Sequence, residues 1–164
     1  MKGRLRGPVP LDKLRSVVLE SRRETYDQRT VPLLFLPDTY LIGHSSNPFQ
    51  YRAILFGRRG AWRSNKVEGV VLADRLVWHS SMDFGVIFKR LYGLREEFLE
   101  FLDEVLRKHP ETRLDQGVDE RRGRWYYLYD GQGSIDECYG PEMIFWNDRL
   151  IARGFFSGRL HTRY

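Results

Sequence analysis

The stretch Met143-Ile144-Phe145-Trp146-Asn147-Asp148-Arg149-Leu150-Ile151-Ala152-Arg153-Gly154-Phe155-Phe156 decides the fold class. Residues 143–146 and 149–156 are rich in aromatic and apolar side chains. Between them stand Asn147 and Asp148, which tolerate the positive φ of a tight hairpin turn. The pattern predicts an antiparallel hairpin, and therefore a sheet for it to join.

Upstream, residues 124–129 (Arg-Trp-Tyr-Tyr-Leu-Tyr) read as a further strand, turned by Asp130-Gly131-Gln132-Gly133 and preceded by a charged loop over 115–123. Before that loop lies the clearest helical signal, over about 83–108. Phe84, Ile87, Phe88, Leu91, Leu94, Phe98, Phe101, Leu102 and Val105 keep the helical period. Ser80, Ser81 or Asp83 can cap its start, His109-Pro110 ends it, and Gly93 costs about 1 kcal/mol relative to alanine. So wide an apolar stripe predicts a long amphipathic helix packed on a sheet.

Nearer the N-terminus, 39–44 and 50–56 read as a hairpin, while 67–78 is one long strand or a hairpin. The apolar run 31–36 is bounded by prolines and suits an edge strand. Leu11, Leu14, Val17, Val18, Ser21 and Thr25 recur at helical spacing behind Asp12, so an N-terminal helix is expected over about 11–28. The expectation is an α+β single domain over 11–157 with a mainly antiparallel sheet, a flexible basic arm at 1–10 and a basic tail at 158–164.

The 164 residues are 41% hydrophobic, which excludes whole-chain disorder. Net charge is +5, with 27 basic against 22 acidic groups, and 22 of the basic residues are arginine. The first eighty residues carry +7, the next sixty-eight −6 and the last sixteen +4. No apolar run approaches the roughly 20 residues needed to cross a bilayer, and no hydrophobic segment follows the basic start Met1-Lys2-Gly3-Arg4. The lone Cys138 makes no internal disulfide and no cysteine-rich zinc site, so the reading is cytoplasmic, with no membrane partner.

Motifs for phosphate-cradling loops, dinucleotide binding and zinc peptidases are all absent. Cys138 is flanked by acids, which disfavour a catalytic thiolate. The carboxylates Asp130, Asp136, Glu137, Glu142 and Asp148 match no metal-loop spacing and read as solvated turn residues. No cofactor and no metal site is expected. His44 and His79 each precede a Ser-Ser pair at a strand end, and would make an acid/base site if their strands were neighbours.

The remaining signal is basic and aromatic. Arg58, Arg59, Trp62, Arg63 and Lys66 form a cationic loop suited to phosphates. Arg121, Arg122 and Arg124 lead into Trp125, Tyr127 and Tyr129, which share one face of a strand. If Tyr126 and Leu128 pack inward, those three rings form an exposed stacking platform; otherwise they are the core. The sequence therefore favours DNA or RNA binding through these residues. The alternatives are a module binding a partner protein, since exposed Tyr, Trp and Arg also mark interfaces, and an enzyme with an unfamiliar histidine site.

Overall fold

The computed structural model describes residues 9–26, 31–32, 38–57, 63–87 and 93–161. Within them the chain forms helix α1 (Leu11–Tyr26) and strands β1 (Val31–Pro32), β2 (Thr39–Ser46), β3 (Phe49–Phe56), β4 (Arg63–Leu72) and β5 (Arg75–Val86). Helix α2 (Arg95–Lys108) follows, then β6 (Val118–Arg122), β7 (Trp125–Tyr129), β8 (Gln132–Ser134), β9 (Glu137–Trp146) and β10 (Arg149–Leu160). The α+β reading holds. One ten-stranded sheet runs in the order β1-β2-β3-β4-β5-β10-β9-β7-β6, with β8 pairing β9 beside β7. Every pairing among the described residues is antiparallel.

The hairpin at 143–156 forms as its turn residues require, with φ of 48° at Asn147 and 60° at Asp148. Residues 67–78 are a hairpin rather than one strand. Ala73 and Asp74 take φ of 49° and 66° there, without the Asn-Gly signature that makes such turns legible. Strand β10 continues to Leu160, beyond the strand end expected at 156.

The long helix expected over 83–108 is shorter. α2 spans 14 residues from Arg95, and residues 83–86 belong to β5. Ser80, Ser81 and Asp83 therefore cap no helix; Leu94 occupies that position without a side-chain cap. The cause is tertiary. β4 and β10 pair with the two edges of β5, and backbone ladder bonds on both sides hold 78–86 extended. Phe84 fits both periods, since Trp78, Ser80, Met82 and Phe84 also alternate inward at period two. α1 ends at Tyr26, and residues 27–30 and 88–92 lie outside the described residues.

Both helices lie on one face of the sheet. α1 buries Leu14, Val17 and Val18 against β2 and β3, while Phe98 and Phe101 of α2 set their ring centroids 5.8 and 5.9 Å from Trp125 on β7. Glu96 and Glu97 in the first turn of α2, with Arg107 and Lys108 in the last, complement its dipole. No helix among the described residues is long and apolar enough to cross a membrane.

The inner face carries two buried carboxylates. Glu68 accepts hydrogen bonds from Tyr51 (2.6 Å), Lys66 (2.6 Å), Ser80 (2.8 Å) and the Arg22 guanidinium, whose Nη1 also donates to the carbonyls of Pro110 and Thr112 and whose Nη2 to that of Arg113. Glu142 accepts from Arg113 (3.0 and 2.7 Å) and from the Tyr127 hydroxyl (2.8 Å). Far from being a solvated turn residue, Glu142 is fully buried. Arg22 thus ties α1 to β4 and to the 110–113 turn, and paired charges take the place of apolar packing there.

Candidate binding surface

Alternation along the strands assigns each sequence-predicted residue to a face. Trp125, Tyr127 and Tyr129 are buried at 6%, 0% and 0% exposure, so the exposed platform does not form on β7. Tyr127 is drawn inward by Glu142, and Tyr129 donates to the Leu114 carbonyl at 2.8 Å, so these hydroxyls are matched within the core. The residues that β7 turns outward are Tyr126 and Leu128. Tyr126 packs on Phe145 with ring centroids 5.6 Å apart and planes tilted by 30°, and the Arg121 guanidinium lies 4.7 Å from the Tyr126 ring centroid.

The arginines around β7 separate. Arg121 lies 3.6 Å from Asp148 on the outer side, whereas Arg122 turns the other way and pairs with Glu104 of α2. Arg124 sits in the β6–β7 turn. Lys66 points to the inner face, where it binds Glu68 and where burial holds its ammonium below the ordinary lysine pKa. Arg58, Arg59 and Trp62 lie outside the described residues, as does the side chain of Arg63. The flanking residues Gly57 and Arg63 end at the same edge of the sheet as the β6–β7 and β9–β10 turns, which carry Arg121, Arg122, Arg124 and Arg149.

His44 and His79 do not meet. β2 and β5 are three strand steps apart, roughly 14 Å at ordinary spacing. His44 also stands opposite inward-facing Tyr51, while His79 faces outward. His79 instead stacks on His161, with ring centroids 4.7 Å apart and Nδ1 of the first 2.7 Å from Nε2 of the second. Cys138 is buried, and burial pushes its thiol up to about 11. No group of three or more metal-ligating side chains occurs among the described residues.

No described helix covers the outer face, and its centre carries an unforeseen constellation. Along β10, Arg153, Phe155, Ser157 and Arg159 all point outward and are exposed. On β9 beside it, Tyr139 stands opposite Ser157, and Pro141 opposite Phe155. Phe155 is 51% and Tyr139 45% exposed, and they sit as diagonal neighbours on adjacent strands. The serine hydroxyls of Ser81 and Ser157, 3.1 Å apart, line the floor between them and β5. Beside Phe155 lies an open cleft of about 450 Å³ lined by Asp83, Gly85, Ile87, Arg153 and Phe155.

Arg153 and Arg159 are six residues apart, about 20 Å along the strand. The side chain of neither makes a hydrogen bond or ion pair among the described residues, so two solvated cations bracket the two rings. The sequence carries this signal as Arg153-x-Phe155-x-Ser157-x-Arg159, a period-two pattern that runs past the apolar residues into Ser157-Gly158-Arg159. No known protein family, curated protein or solved structure matches this chain.

Proposed function

We propose that the protein binds single-stranded DNA or RNA on the outer face of its sheet, with bases stacking on Phe155 and Tyr139 and phosphates meeting Arg153 and Arg159. One observation carries this reading: two exposed rings on adjacent central strands, bracketed on the same face by arginines whose side chains have no partner among the described residues. Stacking on aromatic rings tolerates any base, and arginine follows the backbone, which together suit recognition of unpaired strands. The basic end of the sheet, with Arg121, Arg124 and Arg149, extends the cationic track beyond the rings.

Fluorescence anisotropy with labelled 8- to 12-nucleotide strands tests the reading. Removing either ring (Phe155→Ala or Tyr139→Ala) weakens binding roughly 5- to 150-fold, from about 1–3 kcal/mol per stacked base. Two phosphate contacts predict a log–log salt slope of about −1.4, halved when Arg153 becomes glutamine. Binding that ignores salt, or survives loss of both rings, sinks the proposal.

A second reading, a partner protein on the same face, has its own observation. Of the seven exposed large apolar residues among the described residues, six (Phe56, Val67, Leu76, Ile87, Tyr139 and Phe155) lie on the outer side of the sheet. If oligonucleotides fail to bind and the chain self-associates in sedimentation, with Val67→Asp dispersing it, this reading replaces the first.

A further inference from the structure

The outer face holds a second cluster that the aromatic pair does not use. His79 on β5 stands directly opposite Arg159 on β10 and, on its other flank, opposite Gly69 on β4, which offers no side chain. Beyond the end of β10, the backbone N–H of His161 donates to the Val77 carbonyl at 2.9 Å, which brings the two imidazoles together. Their rings stack at 4.7 Å with an interplanar angle of 30°.

The 2.7 Å contact between His79 Nδ1 and His161 Nε2 fixes what this pair can do with protons. One proton lies between those two nitrogens, so in the neutral pair only one of the two remaining nitrogens carries hydrogen. A single added proton gives both of them N–H groups and the pair a charge of +1. A second added proton would set two N–H groups against each other across 2.7 Å, so the pair takes only one. With exposed Arg159 alongside, the half-buried, singly protonated pair gives the patch two positive charges and three sets of donors.

We infer that His79, His161 and Arg159 form an anion subsite that takes a phosphate group with uptake of one proton. The subsite rests on and extends the nucleic-acid reading, because Arg159 lies on the same face of β10 as Phe155, four residues and about 13 Å along the strand. Carboxylates stand around it and oppose an anion, so the proton added to the histidine pair supplies the charge that favours binding. Glu137 stands opposite Arg159 on the far side without pairing to it, and the Asp136 carboxylate is held by Ser134. Asp74 and Arg75 sit in the β4–β5 turn, and Glu68, on the same strand as Gly69, faces the inner layer. Without an anion, burial first, then His161 and Arg159, hold the His79 imidazole below its ordinary pKa. A bound anion offsets the Arg159 charge and favours the protonated pair, so affinity rises as pH falls.

The test uses the full chain and inorganic sulfate, whose charge stays constant where phosphate itself titrates, near pH 6. Histidine ring carbon–proton spectra are followed from pH 5 to 8 in sodium sulfate and in sodium chloride of equal ionic strength. The midpoint of the His79–His161 pair is expected to rise by about one pH unit in sulfate, a tenfold preference for the protonated pair. His44 and His109, which lie outside the subsite, serve as internal references. In Arg159→Gln, whose fold is checked by tryptophan fluorescence, the rise falls to less than about half. Equal midpoints in the two salts, or a uniform shift of all four histidines, overturns the subsite.

A second arm measures oligonucleotide affinity at pH 5.5 and 7.5 for the parent and His79→Gln. The parent is expected to bind about tenfold tighter at the lower pH and the variant to lose that gain. A sulfate response without oligonucleotide binding leaves the subsite for free phosphate or phosphomonoesters and removes the nucleic-acid reading. Oligonucleotide binding through Phe155 with no histidine response does the opposite.

Discussion

Replacing Glu68 with glutamine removes one negative charge from the inner layer and almost no volume. The parent carboxylate faces five donor contacts: Arg22 Nε, Tyr51 and Lys66 on Oε1, and a second Arg22 nitrogen and Ser80 on Oε2. Whichever oxygen becomes the amide nitrogen, its hydrogens meet at least one Arg22 N–H. The Tyr51 and Ser80 hydroxyls can rotate to accept, but guanidinium and ammonium cannot. Arg22 and Glu68 have side-chain exposures of only 10% and 3%, so water cannot substitute for the lost charge. Breaking a buried pair of this kind costs about 3–5 kcal/mol, against a total stability on the order of 5–15. For a chain of this length that corresponds to a fall in Tm of roughly 6–20 °C.

Differential scanning calorimetry with urea titration measures the loss. The double variant Arg22→Met with Glu68→Met is the control. With both charges gone it is expected to be less destabilised than the sum of its single variants by more than about 1 kcal/mol. If Glu68→Gln unfolds within about 1 kcal/mol of the parent, or the double variant is simply additive, the network does not hold α1 to the sheet as argued.

Acid should attack the same network. Burial alone would raise the Glu68 carboxyl, but Arg22 and then Lys66 hold it well below the ordinary range. Its stabilisation is full above the unfolded value of about 4.3 and is lost as pH falls through the lower folded value; urea midpoints at pH 7, 4 and 3 show this, and Glu68→Gln flattens the decline. Cys138, with its thiol pushed up to about 11, leaves about one thiol in a thousand ionised at pH 8, so it reacts with an aromatic disulfide reagent only as fast as the chain opens. Gly140→Ala places a methyl 2.3 Å from the Asp130 carbonyl oxygen, where β9 meets the chain between β7 and β8. A loss of about 1–3 kcal/mol in urea titration is expected, and an unchanged midpoint would refute that close approach.

The sequence by itself determined the α+β class, the N-terminal helix, the final hairpin and the strand at 125–129. In each, one period dominates over a sufficient length or the turn residues are distinctive, as with Asn147-Asp148. Where two periods overlap, at 78–91, local pattern could not choose. The extended form prevailed at 78–86 because β4 and β10 supply partners from both sides. The same dependence decided the surface. Tyr126-Tyr127-Leu128-Tyr129 offers aromatic residues to both faces, and only Glu142 and Leu114, distant in sequence or in turn geometry, turned Tyr127 and Tyr129 inward. Arg153, Phe155 and Arg159 were visible as a pattern, but Tyr139 reaches them only through strand pairing, and His79 meets His161 from 82 residues away. Periodicity reports which residues share a face of one element; which faces meet, and which stay in water, is fixed by pairings between segments that sequence spacing does not constrain.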